Sequence, residues 1–202
     1  MIPNMTIMVP RNGAELRGMM ELACNYENGP LAIRYPRGNT VELDENKSPQ
    51  IEFGKAHVLR KGQDVALFAV GTMVDTAEEV ADVLEAKGFS AAVINARFVK
   101  PLDEKVIVQF GGKVKLLVSL EENTIHGGFG SGVLESLSEK GMCVPTLQIG
   151  VPDRFIPQGS PEEQRQATEL SPEQISTRIL ERLPVTEKEI NKKRNDLQKV
   201  SA

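Results

Sequence analysis

The stretch KLLVSLEENTIHGGFGSG, residues 115–132, decides the fold of this 202-residue chain. It begins with an apolar run at residues 116–120, which two carboxylates follow, Glu121 and Glu122. A glycine-rich loop then leads into a helical pattern over residues 133–140. A strand, an acidic tip, a glycine turn and a helix form the corner at which open α/β sheets place ligands. We therefore expect an α/β fold with this corner at the edge of its sheet.

Further apolar runs alternate with helical stripes on both sides of this corner. Strands are predicted at residues 6–9, 31–35, 56–60, 65–70, 91–95 and 146–149. Helices are predicted at residues 13–26, along the stripe at 74–84, at 103–110 after Asp103, and after Ser171. This alternation predicts a mostly parallel open sheet with right-handed crossovers and helices on both faces.

A change of composition divides the chain. From Asn39 to about Phe53 the apolar periodicity is lost, and turn-forming and charged residues follow one another closely. We predict four parts: an N-terminal unit at 1–40, a linker at 41–50, a second domain at 51–183 and a polar tail at 184–202. The strand–helix–strand of the first unit is too small to bury its own apolar faces. It must therefore pack on something outside this sequence or on a partner chain.

The composition excludes several classes of partner. A net charge of −4, from 24 basic and 28 acidic residues, gives no basic cluster for nucleic acid or a membrane surface. No run approaches the 18 apolar residues of a membrane span. Cys24 and Cys143 lack CxxC spacing, so we expect neither a zinc site nor a disulfide, and we predict that both are small buried side chains. This cysteine usage indicates a reducing, cytoplasmic setting.

The glycines from Gly127 to Gly132 allow two interpretations. Backbone N–H groups at such a turn can hold a phosphate, but the stretch lacks the Gly-Lys-Ser/Thr of a P-loop and the GxGxxG pattern with a following acid. A tight turn with close helix–strand packing is therefore favoured. Glu121 and Glu122 are adjacent and point to opposite faces of a strand, which makes them a poor acid–base couple. One of them can accept bonds from the loop backbone, while the other faces a cleft or a subunit interface.

The histidines and arginines give the remaining candidates. His57 and His126 are not spaced as metal ligands; we place His57 on the surface of an edge strand, and His126 is a candidate for lining a cleft. Arg34 and Arg37 lie at the carboxyl end of a predicted strand, where α/β sites open. The planar guanidinium fork binds phosphate or carboxylate. A surface ion pair is an equally good explanation of these arginines.

Five stretches together carry a resemblance to one family. They are IPNMTIMVP (2–10), GPLAIRYPRGN (29–39), INARFVKPLDE (94–104), SLEENTIHGGFGSGVLE (119–135) and IGVPDRFIPQGS (149–160). In order and spacing they resemble the C-terminal part of the 1-deoxy-D-xylulose-5-phosphate synthase family, thiamine-diphosphate enzymes of the transketolase superfamily. The resemblance implies that residues 1–40 are the last strand–helix–strand of a pyrimidine-binding middle domain. It also implies that residues 51–183 are a transketolase C-terminal-like domain.

The resemblance implies an activity and one site residue. The family condenses pyruvate with glyceraldehyde 3-phosphate with loss of carbon dioxide, and so supplies isoprenoid, thiamine and pyridoxal precursors. Its members are homodimers that use thiamine diphosphate and Mg²⁺. A family residue that binds the substrate phosphate corresponds to Arg37, the second arginine of RYPRG. Arg34 and Tyr35 are expected to support it.

Several family motifs do not occur in this sequence. The GDG…N motif that holds the metal and diphosphate, the glutamate that activates the pyrimidine ring and the HQG segment before IPNM are all missing. We therefore expect the chain alone to bind no cofactor and to be inactive.

Three alternatives stay open: a fragment of the synthase, a subunit of a split enzyme that docks on the missing N-terminal and middle-domain parts, and a non-catalytic dimerisation or interaction module. The β-type subunit of another thiamine enzyme fits RYPRG and EENTIHGGFG less well. The incomplete first unit predicts an exposed apolar patch and a tendency to associate.

Overall fold

Two sheets organise the computed structural model, which describes residues 2–39 and 49–183. In chain order the described elements are β1 Thr6–Met8, α1 Gly13–Cys24, β2 Leu31–Ile33, β3 His57–Arg60, β4 Val65–Ala69, α2 Met73–Ala86, β5 Ala91–Asn95, β6 Phe98–Lys100, α3 Glu104–Gly111, β7 Leu116–Thr124, α4 Phe129–Glu139, β8 Thr146–Val151, α5 Pro161–Ala167 and α6 Pro172–Arg182. The predicted linker, except for residues 49 and 50, and the whole predicted tail lie outside the described residues.

The larger sheet has the order β3-β5-β4-β7-β8. Strands β5, β4, β7 and β8 are parallel, and β3 pairs antiparallel with β5 at one edge. Side chains alternate along β4, so that Val65 and Leu67 pack in the core beneath α2 and α6. Ala66 and Phe68 pack in the opposite core beneath α3 and α4. The predicted α/β fold, with a mostly parallel open sheet and helices on both faces, is confirmed.

The smaller sheet, in the order β2-β1-β6, joins the two parts of the chain. Strand β1 pairs parallel with β2 and antiparallel with β6, which belongs to the second domain. Phe98 of β6 is buried with Met8, Met19 and Ile51 against α1. The prediction that the first unit must pack outside this sequence is therefore wrong. Strand β6 is only three residues long, too short for a period-two pattern to reveal it.

The segment after the predicted linker also packs on the first unit. Ile51 is buried beside Met19 of α1. The ring of Phe53 stacks on Tyr26, with 5.3 Å between the centroids. At Gly18 a side chain would meet the Pro49 carbonyl oxygen, 2.4 Å from the position of a Cβ atom. The described end of this connection is therefore held against α1.

Other outcomes concern single residues. His57 is exposed on the edge strand β3, as predicted. Cys24 and Cys143 are exposed, so the prediction of buried thiols is wrong. Cys24 ends α1 on its solvent side, and Cys143 lies in the turn before β8. Among the described residues, no helix has both the length and the apolar character needed to span a membrane.

Candidate anion-binding site

The carboxyl ends of strands from both sheets meet beside a cavity of about 830 Å³. The first turn of α1, the loop that follows β2 and the start of α2 line its wall. A smaller cavity of about 160 Å³ adjoins it, with Tyr35, Pro36 and Thr72 lining both. Parallel strands direct their carboxyl ends to the same edge, where open α/β sheets bind ligands.

Arg37 lies in the larger cavity and Arg34 in the smaller one. Both side chains are exposed, and neither guanidinium has a hydrogen bond or ion pair within residues 2–39 and 49–183. The ion-pair explanation of these arginines therefore finds no partner in that part of the chain. Tyr35, 59% exposed, stands between them. The site thus offers two uncommitted guanidinium groups to a ligand.

Arg11 is a third arginine of the larger cavity, but its charge is already paired. Its Nε donates to Asp75 Oδ1 at 2.6 Å, and its terminal nitrogen donates to Glu78. Burial alone would lower the pKa of Arg11, but the two carboxylates outweigh burial and raise this pKa above its ordinary value. Sequence reasoning did not single out Arg11, because its partners lie on a distant helix. It ties the start of α1 to α2 and shapes the cavity wall.

Glu121 and Glu122 face opposite ways, as their adjacency on a strand predicted. Glu121 is buried, and its two carboxylate oxygens accept the N–H groups of Phe129 at 2.8 Å and Gly130 at 2.9 Å. Because these are the first N–H groups of α4, the carboxylate occupies the place that a bound phosphate would take. The tight-turn interpretation of the glycines is confirmed. A Cβ atom at Gly130 would lie 2.4 Å from Ser119 Oγ.

The elements on either side of this turn differ from their predicted ranges. Strand β7 continues through both glutamates to Thr124, and α4 begins at Phe129, four residues before the predicted start. The buried carboxylate of Glu121 explains the early start, since it satisfies helix N–H groups that no local capping side chain satisfies. Gly130 then permits the close approach of α4 to β7.

Glu122 reaches toward the candidate site. Its Oε2 accepts a hydrogen bond from the Thr72 hydroxyl at 2.5 Å, and its Oε1 accepts one from Arg165 Nε at 3.0 Å. A terminal nitrogen of Arg165 forms an ion pair with the same oxygen at 2.9 Å. It therefore connects β7 with the start of α2 and with α5. His126 is exposed and does not line either of these two cavities. This geometry does not support the prediction that His126 lines a cleft.

The site has no ligand set for a metal. Within residues 2–39 and 49–183, no group of three or more His, Cys, Asp or Glu side chains is placed to hold a metal ion. The N–H groups at the start of α4 are already bound by Glu121. These residues therefore do not fit a metal–diphosphate group, whereas the exposed arginines fit a free anion.

Family models match most of the chain. The model described as transketolase, C-terminal domain, matches residues 54–175, and the one described as transketolase, pyrimidine binding domain, matches residues 1–42. The chain belongs to the transketolase family. Both parts of this assignment agree with the resemblance drawn from the five sequence motifs.

Curated relatives identify a narrower group within the family. The 1-deoxy-D-xylulose-5-phosphate synthase of Thermosynechococcus vestitus is 44% identical over 189 residues, which are 93% of this chain and 30% of that protein. The synthase of Synechococcus elongatus is 45% identical over 184 residues, 90% of this chain and 29% of that protein. The resemblance to this synthase is confirmed, and the chain spans about 30% of the length of these relatives.

Solved structures share the fold. A protein named as a split gene transketolase, inactive β4 tetramer, superposes with a TM-score of 0.82 at 31% identity, covering 90% of this chain and 59% of that one. A transketolase from Pichia stipitis superposes with a TM-score of 0.68 at 19% identity, covering 89% of this chain and 25% of that one. The second similarity shows the fold alone.

Proposed function

We propose that this chain is the C-terminal part of a 1-deoxy-D-xylulose-5-phosphate synthase and that it binds the phosphate of glyceraldehyde 3-phosphate through Arg37. The full-length reaction condenses this substrate with pyruvate and releases carbon dioxide. The single observation that carries the proposal is the Arg37 guanidinium in the 830 Å³ cavity, which has no hydrogen-bond or ion-pair partner within residues 2–39 and 49–183. The identity of 44% to the T. vestitus synthase supports the reaction class.

The chemistry of the cavity favours a phosphate over a neutral ligand. A phosphate monoester carries close to two negative charges at neutral pH and offers oxygens that match the guanidinium fork. The charge of Arg11 is offset by Asp75 and Glu78, so that among the described residues of the two cavities Arg37 and Arg34 supply the positive charge for an anion. Tyr35 offers a neutral hydroxyl beside them.

The cofactor is assigned to other parts of the full-length enzyme. Thiamine diphosphate supplies the carbanion chemistry when it is bound, and the described residues place no group of three or more His, Cys, Asp or Glu side chains around a metal position. We therefore propose that this chain orients the acceptor substrate and is inactive without the domains that hold the cofactor. Homodimerisation, as in the family, belongs to the same proposal.

A chimera tests the proposal directly. The matching 189 residues of the T. vestitus synthase are replaced by those of this chain, and product is measured with pyruvate, glyceraldehyde 3-phosphate, thiamine diphosphate and Mg²⁺. We expect an active chimera. We expect Arg37→Ala to raise KM for glyceraldehyde 3-phosphate about 30-fold, since a charged hydrogen bond contributes about 2 kcal/mol, and to change KM for pyruvate less than about twofold.

Two results would contradict parts of this proposal. Product formed by the purified 202-residue chain alone would show that other domains are not required. An unchanged KM for the phosphorylated substrate in the Arg37→Ala chimera would remove the role of Arg37. Arg37→Lys serves as the matched control, because it retains a positive charge but loses the planar fork.

A second candidate is supported by the solved structure named as an inactive β4 tetramer. On this hypothesis the chain is a subunit of a split enzyme that associates with copies of itself when its partner is absent. Ile2, Met20, Tyr35 and Phe53 are exposed apolar side chains of the N-terminal unit and its connection, which supports association. Sedimentation that shows a monomer at all concentrations would contradict this candidate.

A further inference from the structure

A buried carboxylate joins the two parts of the chain. Glu15 of α1 is 5% exposed. Its Oε1 accepts Arg97 Nε at 2.7 Å and Asn95 Nδ2 at 2.9 Å, and its Oε2 accepts the same Asn95 nitrogen at 3.0 Å and the Arg11 N–H at 3.0 Å. We call Glu15, Asn95 and Arg97 the latch. A buried carboxylate with this many donors is held in one position.

The donors come from the second domain. Asn95 ends β5 and is fully buried, and Arg97 lies in the turn between β5 and β6. Arg97 has a φ of 59°, a left-handed conformation that is unfavourable in a residue with a side chain. Its carbonyl oxygen accepts the N–H of Val9 at 2.8 Å. The same turn therefore holds both α1 and the end of β1.

The latch acts next to the cavity wall. Glu15 binds the backbone of Arg11 through its carboxylate, and its own N–H donates to Asn12 Oδ1 at 3.0 Å. Arg11 and Asn12 both line the cavity that contains Arg37. Asp75 of α2, which also lines the cavity, forms an ion pair with the Arg11 guanidinium. The position of this wall relative to α2 therefore depends on what holds Glu15.

We propose that Glu15, Asn95 and Arg97 are positioning residues for the anion cavity. They fix the first turn of α1 against the second domain, so that the cavity keeps the width that a phosphate at Arg37 requires. The binding part of this proposal rests on the proposed function, whereas the mechanical part does not. None of the three residues lines the cavity itself.

The physical reason is the cost of separating a buried ion pair. When Glu15 becomes Gln, the Arg97 guanidinium is left buried without a counter-ion, a state that is strongly unfavourable. We expect α1 to move so that water reaches this guanidinium. In the double variant with Glu15→Gln and Arg97→Gln, no charge remains to be solvated, so the displacement should be smaller than in the single variant.

Hydrogen exchange tests the mechanical part in the full chain. In Glu15→Gln we expect the Val9 amide, which donates to Arg97, to exchange at least tenfold faster, while the amides of Leu67 and Val118 in the larger sheet keep their rates. Glu21→Gln, an exposed position on the same helix, is the matched control. An unchanged rate at Val9, or a uniform rise that includes the larger sheet, would overturn the latch.

Titration with inorganic phosphate tests the binding part. Binding to the wild type should be lost in Arg37→Ala, weakened at least tenfold in Glu15→Gln and at least threefold stronger in the double variant than in Glu15→Gln. If the wild type does not bind phosphate in an Arg37-dependent way, the proposed function fails, and the exchange experiment still decides the mechanical part.

If the wild type binds and Glu15→Gln binds equally well, the positioning role is wrong. Should Glu15→Gln not fold, Asn95→Ser replaces it in both experiments. This change removes the two hydrogen bonds to Glu15 and the one that Asn95 Oδ1 accepts from the Arg97 N–H, and it retains the ion pair. An affinity and a Val9 exchange rate equal to those of the wild type would then overturn the proposal.

Discussion

At the scale of single residues, burial gives two neighbouring glutamates different roles. Glu121 lies inside the fold and satisfies the two backbone donors of Phe129 and Gly130. Glu122 is 34% exposed in its side chain and pairs with Arg165, which is 38% exposed. A bond to a buried donor cannot be replaced by water, whereas an exposed ion pair exchanges with water readily.

Replacing each glutamate by alanine should therefore have different effects. We expect Glu121→Ala to lower the free energy of unfolding by about 3 kcal/mol, since two buried N–H groups lose their acceptor. We expect Glu122→Ala to lower it by less than about 1 kcal/mol. Urea denaturation of both variants measures the difference. Equal losses would show that the Glu121 carboxylate does not stabilise the start of α4.

Close packing at Gly130 gives a second prediction. Gly130→Ala should lower the free energy of unfolding by about 1–3 kcal/mol, because its Cβ would overlap Ser119 Oγ and the backbone cannot retreat from β7. Gly132→Ala on the same helix is the control. Its Cβ would meet only a methyl group of Leu102 at 3.2 Å. We expect a change below about 1 kcal/mol there, because better helix propensity offsets a small displacement.

The opposite directions of the two glutamates could be predicted from the sequence, since they follow from local order along a strand. The role of Arg37 came from the family resemblance and stays a prediction. The sequence did not indicate the contacts of Glu15 with Asn95 and Arg97, because they join residues about 80 positions apart. The cysteines were misjudged for a related reason. Thiols are often buried, but whether Cys24 faces the sheet depends on which side of α1 packs on β6.

At the scale of elements, the buried parallel strands were the easiest to predict. Each is a short apolar run, which is the pattern typical of a strand that is buried on both faces of a sheet. The start of α4 and the end of β7 differ from their predicted positions because Glu121 binds the first N–H groups of the helix. Helix α5 has no buried residue, so no apolar stripe marks it, although Ser160 and Glu163 form a capping box at its start.

An ion pair beside two parallel strands gives a prediction on pH. Asp64 precedes β4 and Lys115 precedes β7, and Lys115 Nζ lies 2.8 Å from Asp64 Oδ1. The bond to Lys115 lowers the pKa of Asp64 below its ordinary value of 3.8, aided by the Ser90 N–H and opposed by partial burial. The stabilisation is therefore fully present above about pH 4 and is lost as the pH falls through the lower, folded-state pKa.

Asp64→Asn should accordingly lower the free energy of unfolding by up to about 1 kcal/mol at pH 7, and the difference from the wild type should shrink below pH 3.8. Urea denaturation at pH 7 and at pH 3 measures both values. Asp153→Asn, an exposed position, is the control and should match the wild type at both pH values. A difference for Asp64→Asn that grows toward pH 3 would contradict a lowered pKa of Asp64 in the folded state.

At the scale of the whole molecule, the two parts exchange buried side chains. Val9 of the N-terminal unit packs in a core of the larger sheet, and Phe98 of the second domain packs in the core against α1. The division at residues 40 and 51 followed from composition, and it stays a prediction about domains. Composition carries no signal for an antiparallel pairing between β1 and β6. The packing of the two parts on each other was therefore not predictable from the sequence.

This shared packing predicts cooperative unfolding. We expect calorimetry of the wild type to show one transition, with equal calorimetric and van't Hoff enthalpies, because each part contributes a buried side chain to a core of the other. Two resolved transitions would show that the N-terminal unit melts separately. A melting temperature that is independent of protein concentration would assign the transition to the monomer.

The pairing of Ile7 with Lys100 also sets an order of events during synthesis. Strand β1 leaves the ribosome before its antiparallel neighbour β6, which follows only after β5 has emerged. At about 5–20 residues per second, the wait is on the order of ten seconds. Throughout that time the apolar side of α1 has no Phe98 to cover it. The core against α1 is therefore completed only after β6 has emerged, and until then a chaperone would protect the apolar side of α1.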